Sequence, residues 1–257
     1  MSLRLERRLE ASALMAIGSP LLAVGLTVMV GAVLFAAQGL DPATGLYVYF
    51  IEPVTTLWSL EELVVKSAPL ILIGVGLAIS FRANVWNIGA EGQLTMGALA
   101  GSALPILWHD WQSPPVLACM LMLGAIGGAA YAAIPAFLKN RFGVNEILTS
   151  LMLVYVAQLC LDWLVRGPWR DPHGYNFPQS VAFEGWQLLP TLGDGRVHLG
   201  AGFSLLAVIG AFFLLARTLR GFEIVVSGQA PRAGAFAGFS RSRMVWFCFL
   251  VSGAMAG

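Results

Sequence analysis

Apolar runs long enough to cross a bilayer constrain this chain more than any other feature of its sequence. About 20 consecutive apolar residues are needed to span the hydrocarbon core of a membrane. The candidate runs lie at about 13–37, 63–81, 93–108, 116–138, 146–165 and 199–217, and a shorter seventh begins near Met244. We therefore predict an all-α, polytopic transmembrane helix bundle with about six complete spans and an incomplete seventh. It would form a single domain over 1–257 that is truncated at its C-terminus.

The composition agrees with a chain embedded in lipid. Hydrophobic residues make up 58% of the sequence and charged residues only 11%, whereas about a quarter of the residues in a soluble domain are charged. The basic residues fall in short segments between apolar runs rather than on one face, so we expect no nucleic-acid partner. The expected surroundings are the lipid bilayer, and we predict a multi-pass membrane protein.

The positions of the basic residues predict how the chain is oriented. Lysine and arginine are enriched in short cytoplasmic loops. With a cytoplasmic N-terminus, one side holds Arg4, Arg7, Arg8, Arg82, Lys139, Arg141, Arg217, Arg220, Arg232, Arg241 and Arg243. The loop of about 166–198 then becomes extracytoplasmic, and its prolines disfavour a long helix. This loop is either a lid or docking surface for an extracytoplasmic partner, or a plain connector.

A group of polar residues interrupts the apolar pattern between the second and third runs. We name residues 82–93 the central polar segment. Polar groups at membrane depth are costly unless they face protein or a water-filled path. In one interpretation the segment is a cytoplasmic hairpin in which Asn84 and Asn87 are turn and cap residues. In the other it is a broken helix lining a translocation path, where Asn87, Glu91 and Gln93 hydrogen-bond a polar solute. Trp86 would then either stack on a flat ring or simply anchor at the membrane interface.

Two polar residues, Asn145 and Glu146, open the fifth apolar run. Asparagine is a favoured N-cap, and an acidic residue in the first turn suits the helix dipole. The alternative is that both residues contribute to the path or to its gating.

A basic, small-residue-rich segment follows the sixth run at 217–243. It is amphipathic, which predicts either an interfacial helix or a short helix that docks into a cleft of a cytoplasmic motor. Small residues such as Gly228, Ala235 and Gly238 would permit the close approach of a partner.

Three stretches resemble a known family. They are SAPLILIGVGLAISFRANVWNIGAEGQLTMGALAG at Ser67–Gly101, GVNEILTSLMLVY at Gly143–Tyr155, and GQAPRAGAFAGF at Gly228–Phe239, in which Phe236 stands where the family often has tyrosine. They are similar to the permease subunit of ATP-binding-cassette importers. The branch includes simple-sugar, nucleoside and branched-chain amino-acid permeases, and the likeness is closest to the nucleoside (basic-membrane-lipoprotein-dependent) type.

The resemblance implies an import function and a set of partners. The chain would form the path for a nucleoside or, as second choice, a simple sugar. It would pair with a second permease subunit, usually as a heterodimer, in the bacterial plasma (inner) membrane. A cytoplasmic ATPase would bind ATP-Mg²⁺, and an extracytoplasmic binding protein would deliver the solute. The chain itself has no phosphate-binding loop and would bind no cofactor.

The same resemblance assigns residues to roles. The substrate path would contain Asn84, Trp86, Asn87, Glu91 and Gln93. The possible path or gating role of Asn145 and Glu146 rests on their position at the start of the fifth run and not on the resemblance. ATPase coupling would involve the 217–243 segment through Gly228, Pro231, Arg232, Ala235 and Gly238.

Two other classes of membrane protein fit the sequence less well. An intramembrane protease needs a buried serine near a histidine or a His-Glu-x-x-His pattern, but the three histidines lie in or beside loops. A seven-helix receptor would have its N-terminus outside, against the charge distribution. We therefore predict no catalytic residues and no metal site.

Overall fold

A computed structural model describes residues 12–175 and 177–257. Over these residues the fold is helical, with a single isolated bridge between Thr191 and His198, and the predicted all-α class is confirmed. The α-helices are α1 (Ala13–Ala37), α2 (Pro42–Phe50), α3 (Leu57–Arg82), α4 (Ala90–Leu107), α5 (Pro115–Phe142), α6 (Glu146–Arg166), α7 (Leu199–Arg217), α8 (Leu219–Gln229), α9 (Pro231–Phe236) and α10 (Arg241–Ala256). Short 3-10 turns lie at Glu52–Val54 and Gly185–Gln187. Arg4, Arg7 and Arg8 lie outside the described residues.

Among the described residues, five helices are long and apolar enough to cross a membrane: α1, α3, α5, α6 and α7. They coincide with five of the predicted spans. The span predicted at 93–108 is α4, which begins at Ala90 and is less apolar because glycines and polar residues occupy its first turns. Helix α10 begins at Arg241, close to the predicted start of the seventh span. The polytopic membrane fold is confirmed.

The chain divides into two compact units, one reaching to Leu63 and the other running from Val64 to Gly257. In the first unit α2 packs on α1. Asp41 caps α2 by accepting the backbone N–H of Thr44 at 2.9 Å. Hydrogen bonds from Thr44 hold the pKa of this carboxyl below its usual value. That the whole of 1–257 is one domain stays a prediction.

Glycines bring three backbones of the second unit together where α4, α5 and α10 cross. A Cβ added to Gly97 would lie 2.2 Å from Cα of Gly257, and one added to Gly128 would lie 2.2 Å from the carbonyl oxygen of Gly253. Such approach needs residues without side chains, as is common between membrane helices. This junction fixes α10 beside α4 and so brings Ser252 to the central polar segment.

The connection between α6 and α7 is irregular, as its prolines predict. In its described parts, 167–175 and 177–198, the one helical feature is the turn at Gly185–Gln187. Gln187 Nε2 donates to the carbonyl oxygen of His109 at 3.2 Å, and the backbone N–H of Trp186 donates to Gln112 Oε1 at 3.2 Å. The loop therefore packs on the α4–α5 connection. Its extracytoplasmic location stays a prediction.

Candidate solute path and coupling site

Helix α3 ends in a defined stop signal at the start of the central polar segment. Asn84 adopts a left-handed conformation with φ of 54°. Its N–H donates to the carbonyl of Phe81 at 3.0 Å, and the N–H of Val85 donates to that of Ser80 at 3.0 Å. This is the double hydrogen-bond pattern of a Schellman motif, and asparagine tolerates it better than most residues. Asn84 is thus a turn residue, as one interpretation of the sequence expected.

This conformation predicts how Asn84 responds to substitution. We expect Asn84→Gly to change the free energy of unfolding by less than about 0.5 kcal/mol, whereas Asn84→Val should lower it by about 1–2 kcal/mol because a branched side chain opposes positive φ. Thermal unfolding of the purified protein in detergent would measure both. Equal losses of stability in the two variants would contradict the conclusion that the positive φ at Asn84 determines which residues are tolerated there.

Residues 85–89 between α3 and α4 are extended and present alternate side chains to opposite sides. Val85, Asn87 and Gly89 are buried, whereas Trp86 and Ile88 are exposed. This is the two-residue period of extended backbone. The N-cap position of α4 is Gly89, so the expectation that Asn87 caps the helix is wrong: its amide points into the protein instead.

The Asn87 amide is the centre of a buried hydrogen-bond cluster. It is 0% exposed. Its Nδ2 donates to Gln93 Oε1 at 2.9 Å and to Ser252 Oγ at 2.8 Å. Its Oδ1 accepts from the backbone N–H of Gly89 at 3.1 Å and from Gln93 Nε2 at 3.0 Å. All four hydrogen-bonding positions of the amide are therefore occupied, and we name Asn87, Gln93 and Ser252 the amide clasp.

Helix α6 holds the other side of the extended residues. Ser150 Oγ accepts the backbone N–H of Ile88 at 3.2 Å. A Cβ on Gly89 would lie 2.7 Å from the carbonyl oxygen of Ser150. The backbone at Gly89 therefore packs directly against the backbone of α6. The central polar segment is thus bonded to α6 on one side and, through the amide clasp, to α10 on the other.

The two residues that open α6 have defined structural contacts. Asn145 is the N-cap, and its Oδ1 accepts the N–H of Ile147 at 2.9 Å, which confirms the capping expectation. Glu146 is buried and forms an ion pair with Lys139 near the end of α5. The backbone N–H of Trp86 also interacts with the Glu146 carboxylate. A gating role for Asn145 and Glu146 stays a prediction.

Two other residues of the central polar segment have exposed side chains. Glu91 lies in the first turn of α4, and its Oε1 accepts from Gln158 Nε2 on α6 at 3.2 Å. Trp86 donates from Nε1 to Asn84 Oδ1 at 2.9 Å, and its ring centroid lies 4.9 Å from that of Phe81. Among the predicted path residues, Asn84, Trp86 and Glu91 are therefore exposed, and Asn87 and Gln93 are enclosed.

The predicted coupling segment contacts the end of α3 directly. Ile224 of α8 is fully buried in a core that includes Ile79, Ala83 and Phe249. A Cβ added to Gly228 would lie 2.1 Å from the carbonyl oxygen of Arg82. Arg82 is the last residue of α3, two positions before the turn at Asn84. Helix α8 therefore contacts the end of α3 at the point where the central polar segment begins.

Helix α9 presents small and basic residues around a cavity of 390 Å³, which is lined in part by Pro231, Arg232 and Ala235. The helix ends in a second Schellman motif: Gly238 has φ of 83°, and Phe239 N–H donates to the carbonyl of Gly234 at 2.9 Å. Phe236 is 96% exposed.

Sequence reasoning missed three residues of this arrangement: Ser150, Gln158 and Ser252. Ser150 and Gln158 lie in α6 and Ser252 lies in α10, and apolar residues predominate in both helices. That is the available signal, because a polar group in a membrane helix usually faces the bundle interior or a cavity. Their partners lie 62 to 165 residues away along the chain, so no local pattern pairs them.

Comparisons with known proteins agree with this architecture. Residues 59–257 match the family model described as the branched-chain amino acid transport system / permease component. The chain is 37% identical to the glucose ABC transporter permease protein TsgB13 of Haloferax volcanii, covering 99% of this chain and 69% of that protein. It is 28% identical to the guanosine ABC transporter permease protein NupP of Bacillus subtilis, covering 93% of this chain and 69% of that protein.

No solved structure matches the chain. The family match covers most of the chain, and the relatives share its membrane-spanning character. The receptor and intramembrane-enzyme alternatives are not favoured. The chain therefore belongs to the ABC transporter permease family and is a non-enzymatic, multi-pass transport subunit of the plasma membrane that works with a separate ATPase and a substrate-binding protein.

Proposed function

We propose that the chain forms the translocation path for a nucleoside or a simple sugar in an ATP-driven importer. The observation that carries this is the extended stretch 85–89, bonded between α6 and α10 with polar side chains on and beside it. Non-helical backbone is tolerated at membrane depth where it is buried in protein or lines a cavity. The substrate class is supported by relatives named for glucose, guanosine and nucleosides, which share a polyhydroxylated sugar ring.

Within this path the residues have two kinds of task. Asn84, Trp86 and Glu91 present exposed polar or aromatic groups that contact the solute. Asn87 and Gln93 shape the path by holding the extended backbone in place. Asn145 and Glu146 lie at the α5–α6 turn, where the Lys139–Glu146 ion pair adjoins Trp86. Movement of that turn would shift the path wall, which is how these residues would take part in gating.

Coupling to ATP hydrolysis would enter through α8 and α9. Pro231, Arg232 and Ala235 face the cavity that a cytoplasmic ATPase would fill, and Gly238 ends the helix. ATP-Mg²⁺ would be bound by that ATPase. The close contact between Gly228 and Arg82 would then transmit movement of α8 and α9 to the central polar segment. A second permease subunit, expected to be a different chain, completes the path.

Reconstitution tests this function. The chain is co-expressed with its partner ATPase, a second permease subunit and a binding protein from the same organism, and the complex is placed in liposomes. We expect ATP-dependent uptake of a radiolabelled nucleoside or of glucose that requires the binding protein. A thermal-shift screen of that binding protein with nucleosides, sugars and vitamins identifies which solute to use. A complex that assembles yet takes up neither class would contradict the proposal.

Glu91 gives a direct prediction for the path. Glu91→Gln keeps the shape of the side chain but removes its charge, and a hydrogen bond to a charged group contributes about 1.5–3 kcal/mol. We expect uptake to fall by about tenfold or more while the complex still assembles, as judged by co-purification. Glu52→Gln, the same change at an exposed carboxylate in the turn before α3, is the control. Equal uptake by both variants would remove Glu91 from the path.

A further inference from the structure

The groove between α4 and α6 carries polar groups that neither the amide clasp nor the helix ends use. On α4, Glu91, Thr95 and Ser102 are four and seven residues apart, a spacing that places them on one helix face. On α6, Gln158 Nε2 donates to Glu91 Oε1 at 3.2 Å. Both partners of this bond are exposed. Exposed polar side chains on membrane helices are typical of a water-filled path or a binding site.

A cavity of 260 Å³ lies between the same two helices. Aliphatic side chains of α4 and α6 form most of its lining, and Thr95 and Ser102 of α4 add hydroxyl groups. Trp169, which follows the end of α6, also lines it. The Thr95 hydroxyl donates to the carbonyl oxygen of Glu91 at 3.0 Å, so its oxygen remains an acceptor. The Glu91 carboxylate has about four acceptor positions, and Gln158 occupies one. The groove therefore combines hydrogen-bond acceptors with aliphatic walls, which suits a ligand that has several hydroxyl groups and an apolar ring face.

A second cavity, of 480 Å³, adjoins this one and is lined by apolar residues such as Met96, Ala103 and Ile134. Leu99 and Trp169 line both cavities, but the hydroxyls of Thr95 and Ser102 line only the smaller one. The amide clasp cannot offer an alternative solute contact in this conformation, because Asn87 is fully bonded within the protein.

We propose that the α4–α6 groove binds the sugar ring of the transported solute, an inference that rests on the proposed function. Glu91, Gln158 and Thr95 accept and donate hydrogen bonds to ring hydroxyls. Ser102 adds a further hydroxyl, and Trp169 covers one face of the ring with its indole. A ribose or a hexose presents the same kind of donor groups, so the groove recognises what nucleosides and simple sugars have in common.

Adjacent residues of α4 provide a matched test. Ser102→Cys and Ala103→Cys are made separately in a chain whose Cys119, Cys160 and Cys248 are replaced by alanine. The reconstituted complex is treated with a charged methanethiosulfonate reagent, with and without the solute that the wild type transports. We expect Ser102→Cys to react and to be slowed several-fold by the solute, while Ala103→Cys reacts slowly and is not protected. Thr95→Cys replaces Ser102→Cys if the latter does not assemble.

Kinetics provide a second readout. Gln158→Leu should raise the KM for uptake by about three- to tenfold, the effect of losing one hydrogen bond between neutral groups, and leave the maximal rate and ATPase stimulation nearly unchanged. Leu159→Ala, at a neighbouring residue that is 71% exposed, is the control. In a transporting complex, cysteines that react equally with and without solute would show that the solute binds elsewhere, and cysteines that do not react would show that lipid or a partner helix covers the groove. Either result would overturn this inference alone. Failure of the wild type to take up any sugar or nucleoside would overturn the proposed function as well.

Discussion

Replacing Asn87 by leucine is expected to destabilise the protein by about 4 kcal/mol or more. The substitution removes four hydrogen bonds at a fully buried site. It leaves both ends of the Gln93 amide and the N–H of Gly89 without their partner. Each buried polar group left unsatisfied costs about 1–3 kcal/mol. Thermal unfolding in detergent, together with the yield of assembled complex, measures the loss.

A double substitution distinguishes an internal clasp from a solute contact. If Asn87 and Gln93 chiefly satisfy each other, Asn87→Leu with Gln93→Leu should recover much of the lost stability, since removing both partners of a buried bond can be nearly neutral. The coupling energy of this double-mutant cycle is then large. No recovery in the double variant, with both single variants still stable, would mean that the two amides act independently.

The second large effect is expected at Gly228. A methyl group there would lie 2.1 Å from the Arg82 carbonyl oxygen, whereas real contacts of this kind stay above 3.0 Å. Gly228→Ala must therefore move α8 away from the end of α3 by roughly 1 Å. Overpacking of this kind costs about 1–3 kcal/mol. Because the same contact joins the coupling segment to the path, we expect stimulation of the ATPase by the binding protein to fall about tenfold.

Gly234 is the matched control for this prediction. A Cβ at Gly234 on α9 would lie 3.5 Å from its nearest neighbour, Cγ1 of Val226, which is an ordinary contact. Gly234→Ala should therefore keep the stimulation near the wild-type level. If both variants keep it, the Gly228–Arg82 contact does not transmit the displacement. If the Gly228→Ala variant does not assemble with the ATPase, the ATPase is purified alone. Its basal activity then shows whether that subunit is intact.

The helices were predictable because they depend on local patterns. The apolar runs at 13–37 and 146–165 predict α1 and α6 to within a residue or so. The N-cap at Asn145 was also predictable, since capping needs only the adjacent residues. The 217–243 segment was expected to contain a single short helix, but Pro231 divides it into α8 and α9, because proline cannot continue a helix from the preceding turn.

The site was less predictable because the direction in which each polar side chain points depends on contacts with residues far away along the chain. Polarity alone placed Asn87 and Gln93 with Glu91 in the path. The extended backbone turns Asn87 inward, and only Ser252, 165 residues later, explains what it meets there. The contact of Gly228 with Arg82 is equally non-local. Sequence patterns identify which residues are unusual in a membrane helix, but not which of them pair with each other.

The two-residue alternation of 85–89 also limits how this stretch can evolve. Adding or deleting one amino acid would rotate every following side chain to the other side. Asn87 would then face outward, and a bulky apolar neighbour would occupy its pocket. The length of the stretch between Asn84 and Ala90 is therefore fixed, so insertions and deletions should be confined to other loops of the chain.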